Sequence, residues 1–194
     1  MAAMGTLAVT GDHEADQLLL DDPFALLLAM MLDQQIPMEW AFKSPLRLKK
    51  RIPNDFSAKR LAALNPDTAE AAFKEKPALH RFPGSMARRA QELARHIVTN
   101  YHGDAANIWN DTNTGQELLG RLQALPGYGE EKAKIFLALL AKRFGVKPQG
   151  WEQACMPFAD GTPRTVADID GPNALASVRA WKKAQKAKGK SKSD

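Results

Sequence analysis

The residues best able to do chemistry lie in Leu125-Pro126-Gly127-Tyr128-Gly129, which joins two amphipathic stretches. Glycine admits backbone angles closed to other residues and carries no side chain, so a phosphate oxygen can approach the main chain at Gly127 or Gly129. The stretch beginning at Glu130 would offer that oxygen its free N–H groups and the positive end of its dipole. Such a contact ignores base sequence and sets position along a duplex. Pro and Gly also occur in ordinary helix–helix turns. The longer pattern Leu-x-x-Leu-Pro-Gly-x-Gly-x-x-Lys-Ala, from Leu122 to Ala133, is far tighter than such a turn requires. A second polar group, Asp33-Gln34-Gln35, directly follows an apolar run. Amides there could serve a binding surface or simply cap a helix end.

These groups need rigid elements to hold them, and the sequence supplies helical patterns nearly throughout. Asp22-Pro23 pairs an N-cap residue with proline at the first helical position. It opens Phe24 to Leu32, apolar on almost every face and therefore a buried helix. Further helices are expected over 37–50, 57–64, 68–75, 86–101, 114–124, 130–144 and 173–186. In the helix over 86–101, Ala87, Ala90, Leu93, Ala94 and Ile97 recur at helical spacing. Gly145 stops the 130–144 helix, and residues 146–172, rich in Pro and Gly, read as loops. Residues 1–12 lack periodicity and are expected to be partly mobile. Strand patterning is absent, so the chain is expected to be all-α, with eight or nine helices.

The 194 residues suffice for one compact domain or two small lobes sharing a core. Cys155 is the single cysteine, which excludes an internal disulfide and a four-cysteine iron–sulfur cluster. It reads as a small apolar residue. His13, His80, His96 and His102 show no metal-ligand spacing, so no metal site is expected. No apolar run of about twenty residues exists to span a membrane, and no signal-peptide pattern opens the chain. A cytoplasmic, nucleoid-associated protein is expected. The net charge of +5 is unevenly placed: residues 182–194 hold six lysines and one aspartate, whereas the rest has 21 basic and 21 acidic residues. The basicity therefore belongs to the tail, and net charge cannot argue that the folded body binds nucleic acid. Residues 183–194 are expected to be a disordered basic tail.

The hairpin pattern resembles that of the helix-hairpin-helix (HhH-GPD) base-excision DNA glycosylases, which include endonuclease III and the adenine-mismatch and alkyladenine glycosylases. The similarity covers roughly residues 22–155. Met31-Leu32-Asp33-Gln34-Gln35 falls where these enzymes carry a Ser-x-Gln or Ser-Gln-Gln segment, and the resemblance implies that Gln35 enters the minor groove beside a flipped base. Flipping is needed because the bond to be cut is unreachable inside the stack. Arg81-Phe82-Pro83-Gly84-Ser85, running into Met86-Ala87-Arg88-Arg89-Ala90, matches a family loop and basic helix more loosely. The implied fold is two-lobed: a bundle over 22–144 with the helix-hairpin-helix at about 114–144, and a second lobe from 1–21 plus 145–182. The implied partner is double-stranded DNA, bound by a monomer through Gln34, Gln35, Leu125, Gly127, Tyr128, Gly129 and Lys132. No cofactor is expected beyond the monovalent cation that the family allows at the hairpin backbone; the iron–sulfur motif of endonuclease III is missing.

The catalytic pattern departs from the family. Bifunctional members place a lysine two residues after the second hairpin glycine, where it attacks the sugar. Here Glu131 stands at that place, and Lys132 lies about 100° further around the helix. Active members also carry an aspartate soon after the second hairpin helix, to stabilise the cationic sugar or activate water. Counting from Phe144-Gly145 brings that place to Trp151-Glu152, so Glu152 is the candidate anion, with Asp160 and Asp33 as alternatives. Trp151 is a candidate for stacking on an extruded base or for packing the lobe interface. The resemblance therefore implies a monofunctional DNA N-glycosylase, using water as nucleophile. A non-catalytic DNA-binding protein is the alternative, and a helical interaction module fits the hairpin less well.

Overall fold

The structure is a computed structural model that describes residues 6–52 and 54–194. It holds ten α-helices: α1 (His13–Asp21), α2 (Pro23–Leu32), α3 (Met38–Arg51), α4 (Ala58–Ala63), α5 (Pro66–Lys74), α6 (Pro83–Tyr101), α7 (Gly115–Gln123), α8 (Glu130–Phe144), α9 (Trp151–Ala154) and α10 (Pro172–Ala187). No strand occurs among the described residues; one isolated bridge joins Thr114 to Gln149. The all-α expectation holds. No helix of the described residues is long and apolar enough to cross a membrane.

Helix α2 lies at the centre. Asp22 accepts hydrogen bonds from the Phe24 and Ala25 amides, Pro23 occupies the first turn, and every residue from Phe24 to Leu32 is buried. Burying side chains of that size stabilises by roughly 1.5–3 kcal/mol each. Around α2 pack α1, α3, α6 and the short 3₁₀ turn Ala105–Ile108, while α4 and α5 lie on α6. Helix α8 is the second buried rod, with Ile135 to Ala141 all inside, between α7, α9 and the 3₁₀ turn Val166–Asp168. Helix α10 rests on that turn. A single hydrophobic cluster runs from Leu7 to Val178. It passes without a break through both expected lobes, 22–144 and 1–21 with 145–182.

Besides α1 and the short α9, neither of them expected as a helix, two segments differ from the sequence expectation. Residues 1–5 of the supposedly mobile start lie outside the described residues, but Leu7, Val9 and Thr10 are buried. The reason is Asp16 on α1, whose carboxylate accepts from the Val9 and Thr10 amides and the Thr10 hydroxyl at 2.9–3.2 Å. The basic segment after Ala187, expected to be disordered, turns back onto the body. There Lys192 and Ser193 donate to the Glu131 carboxylate, and Arg164 donates to the carbonyls of Lys192 and Asp194.

Candidate functional site

The hairpin forms because α7 runs out at Ala124 and Gly127 adopts φ +85°. Its side chains do not share one role. Leu125 and Tyr128 are buried. The Tyr128 hydroxyl donates to the Leu27 carbonyl at 2.8 Å, and its ring meets Phe136 edge-on at 5.7 Å. Burial pushes the phenol well above its usual range. Both side chains are core, so their expected part in DNA contact reduces to fastening the hairpin onto α2 and α8. Gly127 also faces inward: a Cβ there would meet Met31 Cγ at 2.8 Å and Arg89 Cδ at 3.0 Å. Gly129 is the open position. A Cβ on it would touch nothing within 4 Å, and it begins α8 without a side-chain cap. The first amides of α8 therefore face outward with no intrahelical acceptor. Glu130 and Glu131 stand beside them, the former held by Lys134 at 2.7 Å.

The turn after α2 lies against the same hairpin. The Gln34 side chain donates to the Met31 carbonyl at 2.9 Å and accepts from Arg89 at 3.2 Å. It is a structural tie between α2 and α6, and only Gln35 is left exposed. Gln35 holds φ +58°, uncommon without a glycine. His80 is buried and bridges two loops: its Nε2 sits 2.8 Å from the Gln34 carbonyl, and its Nδ1 accepts from the Phe82 amide at 3.0 Å. A ring with one acceptor partner and one donor partner is neutral, with the proton on Nε2. Burial pushes its pKa down, consistent with that form. Beyond it Phe82 is 44% exposed, with the Arg81 guanidinium 5.3 Å from its ring centre. Trp40 and Ser44 hold this loop by hydrogen bonds to the Ala78 and Leu79 carbonyls.

Behind the hairpin is a cavity of about 40 Å³, lined by Asp33, Glu131, Lys132, Thr165, Lys182 and Lys192 among others. The Lys132 ammonium donates to the carbonyls of Met30 (2.8 Å), Met31 (3.1 Å) and Asp33 (3.3 Å). Its three donors are thus taken by the protein's own backbone, whereas the resemblance implied a contact to DNA. Burial pushes its pKa down to about 8, against the pull of Asp33. Burial likewise raises the Asp33 carboxyl, tempered by Lys182, Lys132 and Lys192. Lys182 is pushed down by burial. Thr165 and Asp168 form a capping box on the 3₁₀ turn that brings Thr165 here.

The other carboxylates lie elsewhere. Glu152 is exposed on α9, and neither it nor Trp151 lines the cavity. Residues 113–115 pair with Gln149, and a Cβ on Gly115 would meet the Trp151 Cα at 2.6 Å, so this loop is pulled onto α7. The count along the chain to Glu152 fails to reach the cavity for that reason. Asp160 is exposed and engaged by Arg164 at 2.7 Å and by Thr162. Of the three candidate acids, Asp33 alone lines the cavity. The sequence reading overlooked Lys182 and Lys192, whose lysine-rich run looked like tail. Thr165 was findable from the box Thr165-x-x-Asp168.

The family model described as "HhH-GPD superfamily base excision DNA repair protein" matches residues 28–190. The chain belongs to this superfamily. Among solved structures it is similar to an endonuclease III trapped as a covalent DNA intermediate (estranged-adenine complex), at 21% identity and a TM-score of 0.46 over 69% of this chain. It spans 57% of that endonuclease III chain. It is also similar to the H. pylori 3-methyladenine DNA glycosylase MagIII bound to 1,N6-ethenoadenine, at 18% identity and a TM-score of 0.48, covering 88% of this chain and 94% of that one. No curated protein sequence matches.

Proposed function

We propose that the chain is a monofunctional DNA N-glycosylase that flips a damaged or modified base and releases it with water as nucleophile. One observation carries this reading: the Asp33 carboxylate, at the cavity behind the hairpin, accepts no hydrogen bond among the described residues, and although burial raises its pKa it lies among lysines that pull it back toward the charged form. In the reaction the C1′–N bond breaks, the base leaves with the electron pair and takes up a proton, and water adds to C1′ and loses one. A fixed anion in a water-poor cavity lowers the barrier to the cationic sugar by several kcal/mol. Duplex DNA would lie across the α8 amides at Gly129, with Gln35 and Phe82 filling the space that the base leaves. A monovalent cation would use hairpin carbonyls; that of Leu125 retains a lone pair beyond its bond from the Tyr128 amide. A cavity of about 40 Å³ holds a water and no base. Base entry therefore requires the segment after Ala187 to leave Glu131. No positioned amine attacks the sugar, because Glu131 stands at the lysine place and Lys132 spends its donors on three carbonyls.

The test is a panel of duplexes, each with one lesion, scored for abasic sites by alkali cleavage. Release of one base, lost in Asp33→Asn with DNA affinity kept, is the expected result. Tight duplex binding without release of any base would instead favour a non-catalytic DNA-binding protein.

A further inference from the structure

We infer that Lys132 is a positioning residue for Asp33: its ammonium clamps the last turn of α2 from behind and leaves the carboxylate free of partners. This rests on the reading of Asp33 as the anion. Helix α2 has no basic residue in its own last turn, so its negative end is not offset locally. Lys132 supplies that offset from α8, a sequence separation of 102 residues. An ammonium has three donors, and the Met30, Met31 and Asp33 carbonyls take them all. The last of these belongs to the same residue as the carboxylate. The clamp therefore sets where the Asp33 backbone stands without binding its side chain, which has no ion-pair partner among the described residues. The arrangement gives position and electrostatic support together and leaves the oxygens open to a sugar. A direct ion pair would have closed them.

The charged groups facing this ammonium are Asp33 at the end of α2, Arg89 on α6, and Lys192 in the segment after α10. Glu131 on α8 and Lys182 on α10 share its cavity. With a Lys132 pKa of about 8, the clamp loses its charge and one donor as pH rises through that value. Base release should therefore fall on the alkaline side of about pH 8. In Lys132→Arg, whose guanidinium stays charged, that alkaline limb should disappear.

The test uses the full chain in two arms. In the first, the Asp33 carboxyl is titrated by carbon-detected NMR without DNA, in wild type, Lys132→Met and Lys132→Arg. The midpoint should rise by about one unit or more in Lys132→Met, where an opposite charge is lost, and stay near wild type in Lys132→Arg. Unchanged midpoints across the three proteins would overturn the inference. In the second arm, single-turnover base release is followed across pH on the lesion identified by the panel. Lys132→Met should lose at least tenfold in rate with DNA affinity within twofold of wild type. An alkaline limb that persists unaltered in Lys132→Arg would overturn the inference even if Lys132→Met fails to fold. A fully active Asp33→Asn protein would instead remove the assignment of Asp33 as the anion, a result separate from the titration arm.

Discussion

Helix α8 carries two lysines that reach another segment, Lys132 near its start and Lys142 near its end, about 15 Å apart along the axis. Both donate to carbonyls far away in the chain, and both lie near an aspartate. Lys142 binds Asp168 directly at 2.6 Å, with the two side chains 14% and 9% exposed. Asp168 also accepts from the Arg164 and Thr165 amides, so its oxygens are filled. Lys132 stops at the backbone, and the Asp33 carboxylate beside it has no donor among the described residues. The first pair is a fastener that joins the 3₁₀ turn to α8. The second leaves a partly buried carboxylate with no hydrogen bond among the described residues, the group that the proposed glycosylase reading assigns to the reacting sugar.

Exchanging the roles of these two aspartates gives the largest expected effects. Asp33→Asn should lower base release at least 100-fold, the order seen when a fixed electrostatic group is removed from an active site, with little change in melting temperature. Asp168→Asn should do the reverse, since breaking a buried pair costs about 3–5 kcal/mol. Calorimetry and single-turnover assays on both proteins decide the comparison, which fails if Asp33→Asn is the less stable of the two.

The two hairpin glycines divide in the same manner. Gly127→Ala meets a φ of +85° and the side chains of Met31 and Arg89, so it should destabilise the fold by about 1–3 kcal/mol. Gly129→Ala meets nothing, so its melting temperature should match wild type while duplex affinity falls. Equal loss of stability in both would mean that neither glycine serves an approaching phosphate.

Smaller effects are expected at the C-terminal segment. A chain ending at Ala187 lacks Lys188, Lys190 and Lys192. Its affinity should depend less steeply on salt, by about 0.9 in logarithmic slope for each lysine that meets a phosphate. Anisotropy titrations at several salt concentrations measure this, and identical slopes would show that these lysines stay on the protein. The smallest expected effect is none at all: borohydride should trap no protein–DNA adduct. A trapped adduct abolished by Lys132→Met would turn the clamp into a nucleophile and dissolve the contrast with Lys142.

Much of the fold was legible because its signals are local. Asp22-Pro23, the apolar run through Leu32, the spacing over 86–101 and the stop at Gly145 each act over a few residues, the reach of a helical hydrogen bond. Helix α1 escaped although Asp12 caps it and Ala15, Leu18 and Leu19 form its buried stripe, because that stripe is short and carries the buried Asp16, whose partners are Val9 and Thr10. The glycine pattern pointed to the hairpin but not to which glycine faces out, since that depends on Met31 and Arg89. Tyr128, expected at the DNA, is core because Leu27 and Phe136 receive it.

At the site, the sequence by itself determined the hairpin, the loss of the attacking lysine at Glu131, and a short set of carboxylates. Only the tertiary structure shows that Asp33, and neither Glu152 nor Asp160, lines the cavity. A count along the chain cannot follow a loop that bends back onto α7, so it arrived at Glu152. Asp33 and Lys132 are neighbours because the fold brings the start of α8 to the end of α2, and no residue between them records that it will.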